Sequence, residues 1–133
     1  MGFLDKLFGR SSAPAFVRPA DSELERTPSG LRYQVVKQGQ GRKPGPAETV
    51  AVHYAGWLES GKLFDSSYAR GKPASFPLNR VIAGWSEGLQ LMPEGSTFRF
   101  VIPPELGYGR RGAPPTIGPD ATLVFLVELV GVG

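Results

Sequence analysis

Apolar side chains recur at every second position along most of this chain, and no other feature restricts its fold as tightly. Leu31, Tyr33 and Val35 alternate with Arg32, Gln34 and Lys37. Val50, Val52 and Tyr54 share one face of Thr49–Leu58, with Ala51, His53 and Ala55 on the other. Phe98, Phe100 and Ile102 point one way in Thr97–Ile102, as do Leu123, Phe125, Val127 and Leu129 in Thr122–Val130. A period of two is the signature of a half-buried strand. Gly61 in the turn Glu59-Ser60-Gly61-Lys62 closes a hairpin into a short strand at Leu63–Ser66, and another short strand is expected near Ser75–Leu78. Val124 and Leu126 face outward in this pattern and leave the last strand a candidate sticky edge.

One interior segment follows a helical period instead. Val81, Trp85 and Leu89 are spaced i, i+4, i+8 with Ile82 beside them, so a helix is expected over Val81–Met92, ended by Pro93. About five strands against one short helix make an antiparallel α+β domain. Residues 29–133 form that domain, and 133 residues in total suit one core. Residues 1–28 read as a flexible extension: Phe3, Leu4, Leu7 and Phe8 share a face of a short amphipathic segment, followed by a linker over Ser11–Thr27.

Composition excludes several classes of chemistry. With no cysteine there is no disulfide, thiol nucleophile or thiolate metal site, and the single histidine, His53, is poor material for a metal centre or a Ser–His hydrolase. No metal and no cofactor are expected. The formal charge of +3 is mild and the basic residues are scattered, so no nucleic-acid stripe forms. No apolar run approaches the roughly 18 residues of a membrane span. The opening MGFLDKLFGR mixes charges into its apolar residues and carries Lys6 where a myristoylation signal needs Ser or Thr, so a cytoplasmic location is expected. Residues 1–10 remain a candidate membrane- or partner-contact segment.

Six aromatics converge if the inward faces wrap around the helix: Tyr54, Phe64, Phe76, Trp85, Phe100 and Phe125. For any one of them, a place in an ordinary core is the simpler account. Polar tips at Tyr54, Asp65 and Tyr108 beside apolar runs call for partners if buried. Tyr108 also lies in a Gly/Pro-rich loop, where binding residues are common. Asp65, in LFDSS, is either a turn residue ahead of Ser66-Ser67 or a carboxylate held in an aromatic pocket.

Four motifs in order, HYAGWLESGKLFDSS, FPLNRVIAGWSEGL, PPELGYG and IGPDATLVFLVELV, resemble the FKBP-type peptidyl-prolyl cis–trans isomerases from about Gly30 to Val130, most like bacterial single-domain members. The resemblance implies a curved antiparallel sheet wrapped around one short helix, with the pocket between them. It implies that Trp85 is the floor, that Tyr54, Phe64, Val81, Ile82 and Phe125 are walls, that Asp65 and Tyr108 are polar contacts, and that Ile117 lies at the rim. Two positions depart from the family pattern. Ala74 stands where many relatives carry an aromatic, which leaves Phe76 as the nearest ring, and Ala113 stands where a histidine is common. The implied activity is isomerisation of X–Pro bonds in polypeptides by desolvation and electrostatic stabilisation of the twisted amide, assisting protein folding as a monomer. Macrolide inhibitors are a candidate ligand class. The competing reading is a module that binds proline-containing ligands without turnover.

Overall fold

The computed structural model describes residues 14–133; the amphipathic segment Phe3, Leu4, Leu7 and Phe8 lies outside the described residues. Seven strands follow in order: β1 (Glu25–Arg26), β2 (Arg32–Lys37), β3 (Thr49–Leu58), β4 (Leu63–Ser66), β5 (Ala74–Pro77), β6 (Thr97–Ile102) and β7 (Leu123–Val132). Two α-helices interrupt them, α1 (Ser67–Arg70) and α2 (Ala83–Leu89). The sheet runs β1-β2-β6-β7-β3-β4, and β5 pairs with the other half of the β3 edge that β4 uses. All pairings are antiparallel.

The alternation read in the sequence sorts side chains onto two faces. Val50, Val52, Tyr54, Phe98, Phe100, Ile102, Leu123, Phe125, Val127 and Leu129 pack with Trp85 and Leu89 of α2 into the main core. Alternation fails at Val35, expected inward, which is exposed where the β2–β6 register shifts. The expected sticky edge is also corrected. β7 lies between β6 and β3, Val124 is fully buried, and Leu126 packs with Ala55, Trp57, Phe16 and Tyr68 on the second face.

The central helix is shorter than Val81–Met92. Val81 and Ile82 are extended, with ψ of 171° and 151°, and follow a 3-10 turn at Leu78–Arg80. The helix begins only at Ala83. Its glycines set how close it lies to the sheet: a Cβ on Gly84 would meet Ile102 at 2.7 Å, and one on Gly88 would meet Phe100 at 2.6 Å. Two small residues on one helical face therefore let Trp85 settle onto the sheet.

Residues 14–28 are not a free linker. Phe16 meets Trp57 edge-on with ring centroids 5.7 Å apart. Arg18 bonds Asp21 and Glu59, Asp21 also holds Arg32, and β1 adds to the sheet through β2. No helix among the described residues is long and apolar enough to cross a membrane.

Candidate functional site

Between α2 and the concave side of the sheet lies a cavity of about 420 Å³. Trp85, one turn into the chain after the extended Val81-Ile82, supplies its floor and is only 4% exposed. Three rings stand nearly perpendicular to the indole: Tyr54 at 5.1 Å, Phe125 at 5.4 Å and Phe76 at 5.5 Å between centroids. Phe64 leans edge-on against Phe125 at 5.5 Å. Such perpendicular contacts favour the ring quadrupoles and lock the wall rotamers. The Trp85 Nε1–H is itself buried without a hydrogen-bond partner, and the floor presents the cavity with an apolar ring surface.

Strand register explains the convergence. Tyr54 and Gly56 on β3 oppose Val127 and Phe125 on β7, and Phe125 opposes Phe100 on β6. Gly56 is required here, because a Cβ would lie 2.6 Å from the Phe125 ring and 2.8 Å from the Phe64 ring. Val81 and Ile82 complete the apolar walls because their extended backbone turns them toward the cavity before the helix starts.

The polar side of the cavity is a three-membered network. The Tyr54 hydroxyl donates to Asp65 Oδ2 at 2.6 Å. Arg70 donates through Nη1 to Asp65 Oδ1 at 3.0 Å and through Nη2 to the Tyr54 oxygen at 2.9 Å, with its guanidinium 5.7 Å from the Tyr54 ring centroid. Burial, then the adjacent carboxylate, pushes the Tyr54 phenol above its ordinary value, partly opposed by Arg70. Tyr54 therefore stays a neutral donor at physiological pH. The single turn of α1 positions Arg70. Ser66 caps it by accepting from the Ala69 N–H at 3.2 Å, and Gly71 ends it in the left-handed region at φ 76°. Ser67 Oγ anchors the same turn by accepting from the Tyr54 N–H at 2.7 Å.

Asp65 thus matches neither sequence alternative completely. It faces the aromatic cavity, yet its side chain is 43% exposed and paired with a cation. Tyr108 reaches the cavity from the loop after the 3-10 turn Pro104–Leu106 and is 41% exposed. Ile117 departs from expectation: it is 4% exposed and belongs to the core, not the rim. Reciprocal backbone bonds between Ala113 and Ile117, at 2.8 and 3.0 Å, close a tight turn that directs Ile117 inward. The remaining nine expected residues, Tyr54, Phe64, Asp65, Phe76, Val81, Ile82, Trp85, Tyr108 and Phe125, all line the cavity.

Sequence reasoning missed Arg70 and Arg80. Arg70 lies outside the cavity lining but holds two of its polar atoms, and Arg80 lines the cavity directly. His53 faces away from Tyr54 as alternation requires, with Nδ1 2.9 Å from Ser67 Oγ and its ring stacked on Tyr68 at 4.8 Å. Among the described residues no cluster of His, Cys, Asp or Glu has the arrangement of a metal site.

Comparison with known proteins gives one consistent result. The family profile described as FKBP-type peptidyl-prolyl cis-trans isomerase matches residues 40–130. The FKBP-type peptidyl-prolyl cis-trans isomerase FkpA of Aeromonas hydrophila is 54% identical over 109 residues, 82% of this chain and 40% of the relative. The FKBP-type 22 kDa isomerase of Escherichia coli is also 54% identical, over 82% of this chain and 53% of its own. The chain therefore spans about half the length of these curated relatives. The crystal structure of E. coli FkpA superposes with a TM-score of 0.80 at 49% identity, covering 84% of this chain and 52% of that one. A peptidyl-prolyl cis-trans isomerase structure from Pseudomonas syringae superposes at 0.79 with 34% identity, covering 99% and 91%.

Proposed function

The chain belongs to the FKBP-type peptidyl-prolyl cis–trans isomerase family, and from that membership we propose that its cavity accelerates rotation about X–Pro bonds in polypeptide substrates. One observation carries the reading: a buried indole floors a cavity of about 420 Å³ whose walls are aromatic and whose polar groups sit along one side. That volume lies within the range of about 300–1,000 Å³ common to small-molecule sites.

The barrier to amide rotation is about 18–20 kcal/mol, because planarity carries double-bond resonance. X–Pro bonds populate both isomers but exchange over tens of seconds or longer. The planar amide places more charge on nitrogen and oxygen than the twisted form, so water favours the planar form. Walls of Trp85, Phe64, Phe76 and Phe125 exclude that water. Leaving an amide unbonded in an apolar setting costs roughly 2–7 kcal/mol. Each 1.36 kcal/mol removed from the barrier is about tenfold in rate. Half of that desolvation range, applied to the ground states and spared in the twisted state, is therefore a useful acceleration with no proton transfer.

The polar groups orient the chain. Tyr108, exposed at the cavity edge, donates to a substrate carbonyl beside the rotating bond. Asp65 directs its field toward the twisted carbonyl carbon, but pairing with Arg70 tempers that field, so most of the effect is assigned to the apolar walls. Macrolides are a further candidate ligand class for the same cavity. Ala74 and Ala113 pack against the main core and do not line the cavity, and affinity below that of relatives with larger side chains there is expected.

Two-dimensional exchange NMR on a Leu-Pro tetrapeptide tests the activity. A cis–trans exchange rate rising in proportion to protein supports it. Saturable binding of the peptide with exchange left at the uncatalysed rate favours a non-catalytic binding module. Adding a macrolide to the catalysed reaction reads out the second ligand class by inhibition.

A further inference from the structure

Charge at the cavity is unevenly spent. Two charged side chains line it, Asp65 and Arg80. Asp65 is engaged on both oxygens, by the Tyr54 hydroxyl and by Arg70. Arg80 is exposed and takes part in none of the ion pairs among the described residues. Its backbone is fixed at the end of the Leu78–Arg80 turn, directly before the wall residues Val81 and Ile82.

Neighbouring acids do not answer it. Glu87 on α2 accepts from Ser29 Oγ at 2.5 Å and lines a separate concavity with Ser86 and Gln90. The loop that carries Tyr108 bears Glu105, Arg110, Arg111 and Asp120, whose formal charges cancel. Of the two charged side chains that line the cavity, Arg80 alone has no ionic partner among the described residues, and its planar fork is a geometry matched to carboxylates.

We infer that Arg80 makes the site selective for acidic segments: it favours polypeptides with a carboxylate side chain next to the proline or one residue removed. The inference rests on the isomerase reading above and names which X–Pro segments that activity prefers. A solvent-exposed ion pair of this kind gives about a two- to fivefold preference, weakened by salt.

The test compares tetrapeptide pairs identical except for Glu or Gln, placed before the proline in one pair and one residue beyond its neighbour in the other, with a neutral Leu-Pro peptide as reference. Catalysed exchange is measured for the wild-type protein, Arg80→Gln and Arg80→Glu at low salt and at about 0.5 M salt. The expected result is a Glu-over-Gln ratio of about two to five for at least one pair at low salt. That ratio falls toward one in high salt and in Arg80→Gln, and inverts in Arg80→Glu. Because each variant is read by a ratio between peptides, a general loss of turnover does not mimic the effect. A catalysed reference peptide with no Glu preference in either pair, or a preference untouched by Arg80→Glu, overturns the inference alone. A reference peptide left at the uncatalysed rate overturns the isomerase reading, and the inference with it.

Discussion

Asp65 shows how far a single residue can be read from its neighbours in sequence. LFDSS located the carboxylate beside an aromatic run, and the fold turns it toward the Trp85 cavity. What the motif did not show is Arg70, which takes one carboxylate oxygen at 3.0 Å and the Tyr54 oxygen at 2.9 Å. No strand or helix period links positions 65 and 70; the link is one helical turn too short to leave a hydrophobic pattern. Arg80 was hidden for a related reason, because exposed arginines carry no sign of which concavity they overlook. The pairing bears on catalysis. A carboxylate that is already neutralised and half exposed exerts only a small field on a substrate. Asp65→Leu is accordingly expected to slow isomerisation of a Leu-Pro peptide by about tenfold or less, roughly one 1.36 kcal/mol step. A loss of several hundredfold, measured by the same exchange experiment on a variant with unchanged chemical shifts outside the site, would instead place the main catalytic effect on the carboxylate.

At the scale of elements, the long strands were legible and the short pieces were not. β3, β6 and β7 appear where alternation puts them because each sends alternate side chains into the main core over many residues. β1, of two residues, and α1, of four, are held by local pairing and capping over stretches too short to show a period. The expected α2 is too long at both ends: Val81 and Ile82 are extended, which is what makes them wall residues, and the helix stops at Leu89, with Gln90 as its cap, before Pro93. The rim position for Ile117 is implied by the family resemblance alone, and a Gly/Pro loop gives no period from which to read its direction. The seating of α2 on β6 depends on its glycines. In Gly88→Ala the new methyl must displace the Phe100 ring, 2.6 Å away, which outweighs the better helix propensity of alanine. Denaturant unfolding is expected to show a loss of about 1–3 kcal/mol, with turnover falling as Trp85 shifts. An unchanged or higher stability would show that the helix has slack against the sheet.

Over the whole molecule, the described part of the N-terminal region belongs to the domain. Phe16, Arg18 and Asp21 tie it to both the β3–β4 turn and β2. The loop before β3 is closed by Glu48, which accepts from both Arg42 Nη atoms at 2.7–2.8 Å and from the Gly45 N–H. The Arg42 hydrogen bond, then the Gly45 one, holds the Glu48 carboxyl down to about 2, against 4.5 for the free side chain. Because the folded value is depressed, the contribution to stability is complete above about pH 4.5 and is lost as pH falls toward about 2. Over that window Glu48→Gln is expected to unfold with a shallower pH dependence than the parent in acid titrations followed by circular dichroism. Identical slopes would show that the contact carries no linkage. The central claim concerns the cavity as a whole: its apolar surface lowers the rotational barrier by excluding water from the amide. The direct measurement is the catalysed exchange rate of one Leu-Pro peptide for Trp85→Leu and Trp85→Gln, side chains of similar size and opposite polarity, each checked for folding. Trp85→Leu is predicted to retain at least about tenfold more activity than Trp85→Gln, one 1.36 kcal/mol step or more. Equal activity in the two variants would contradict the account.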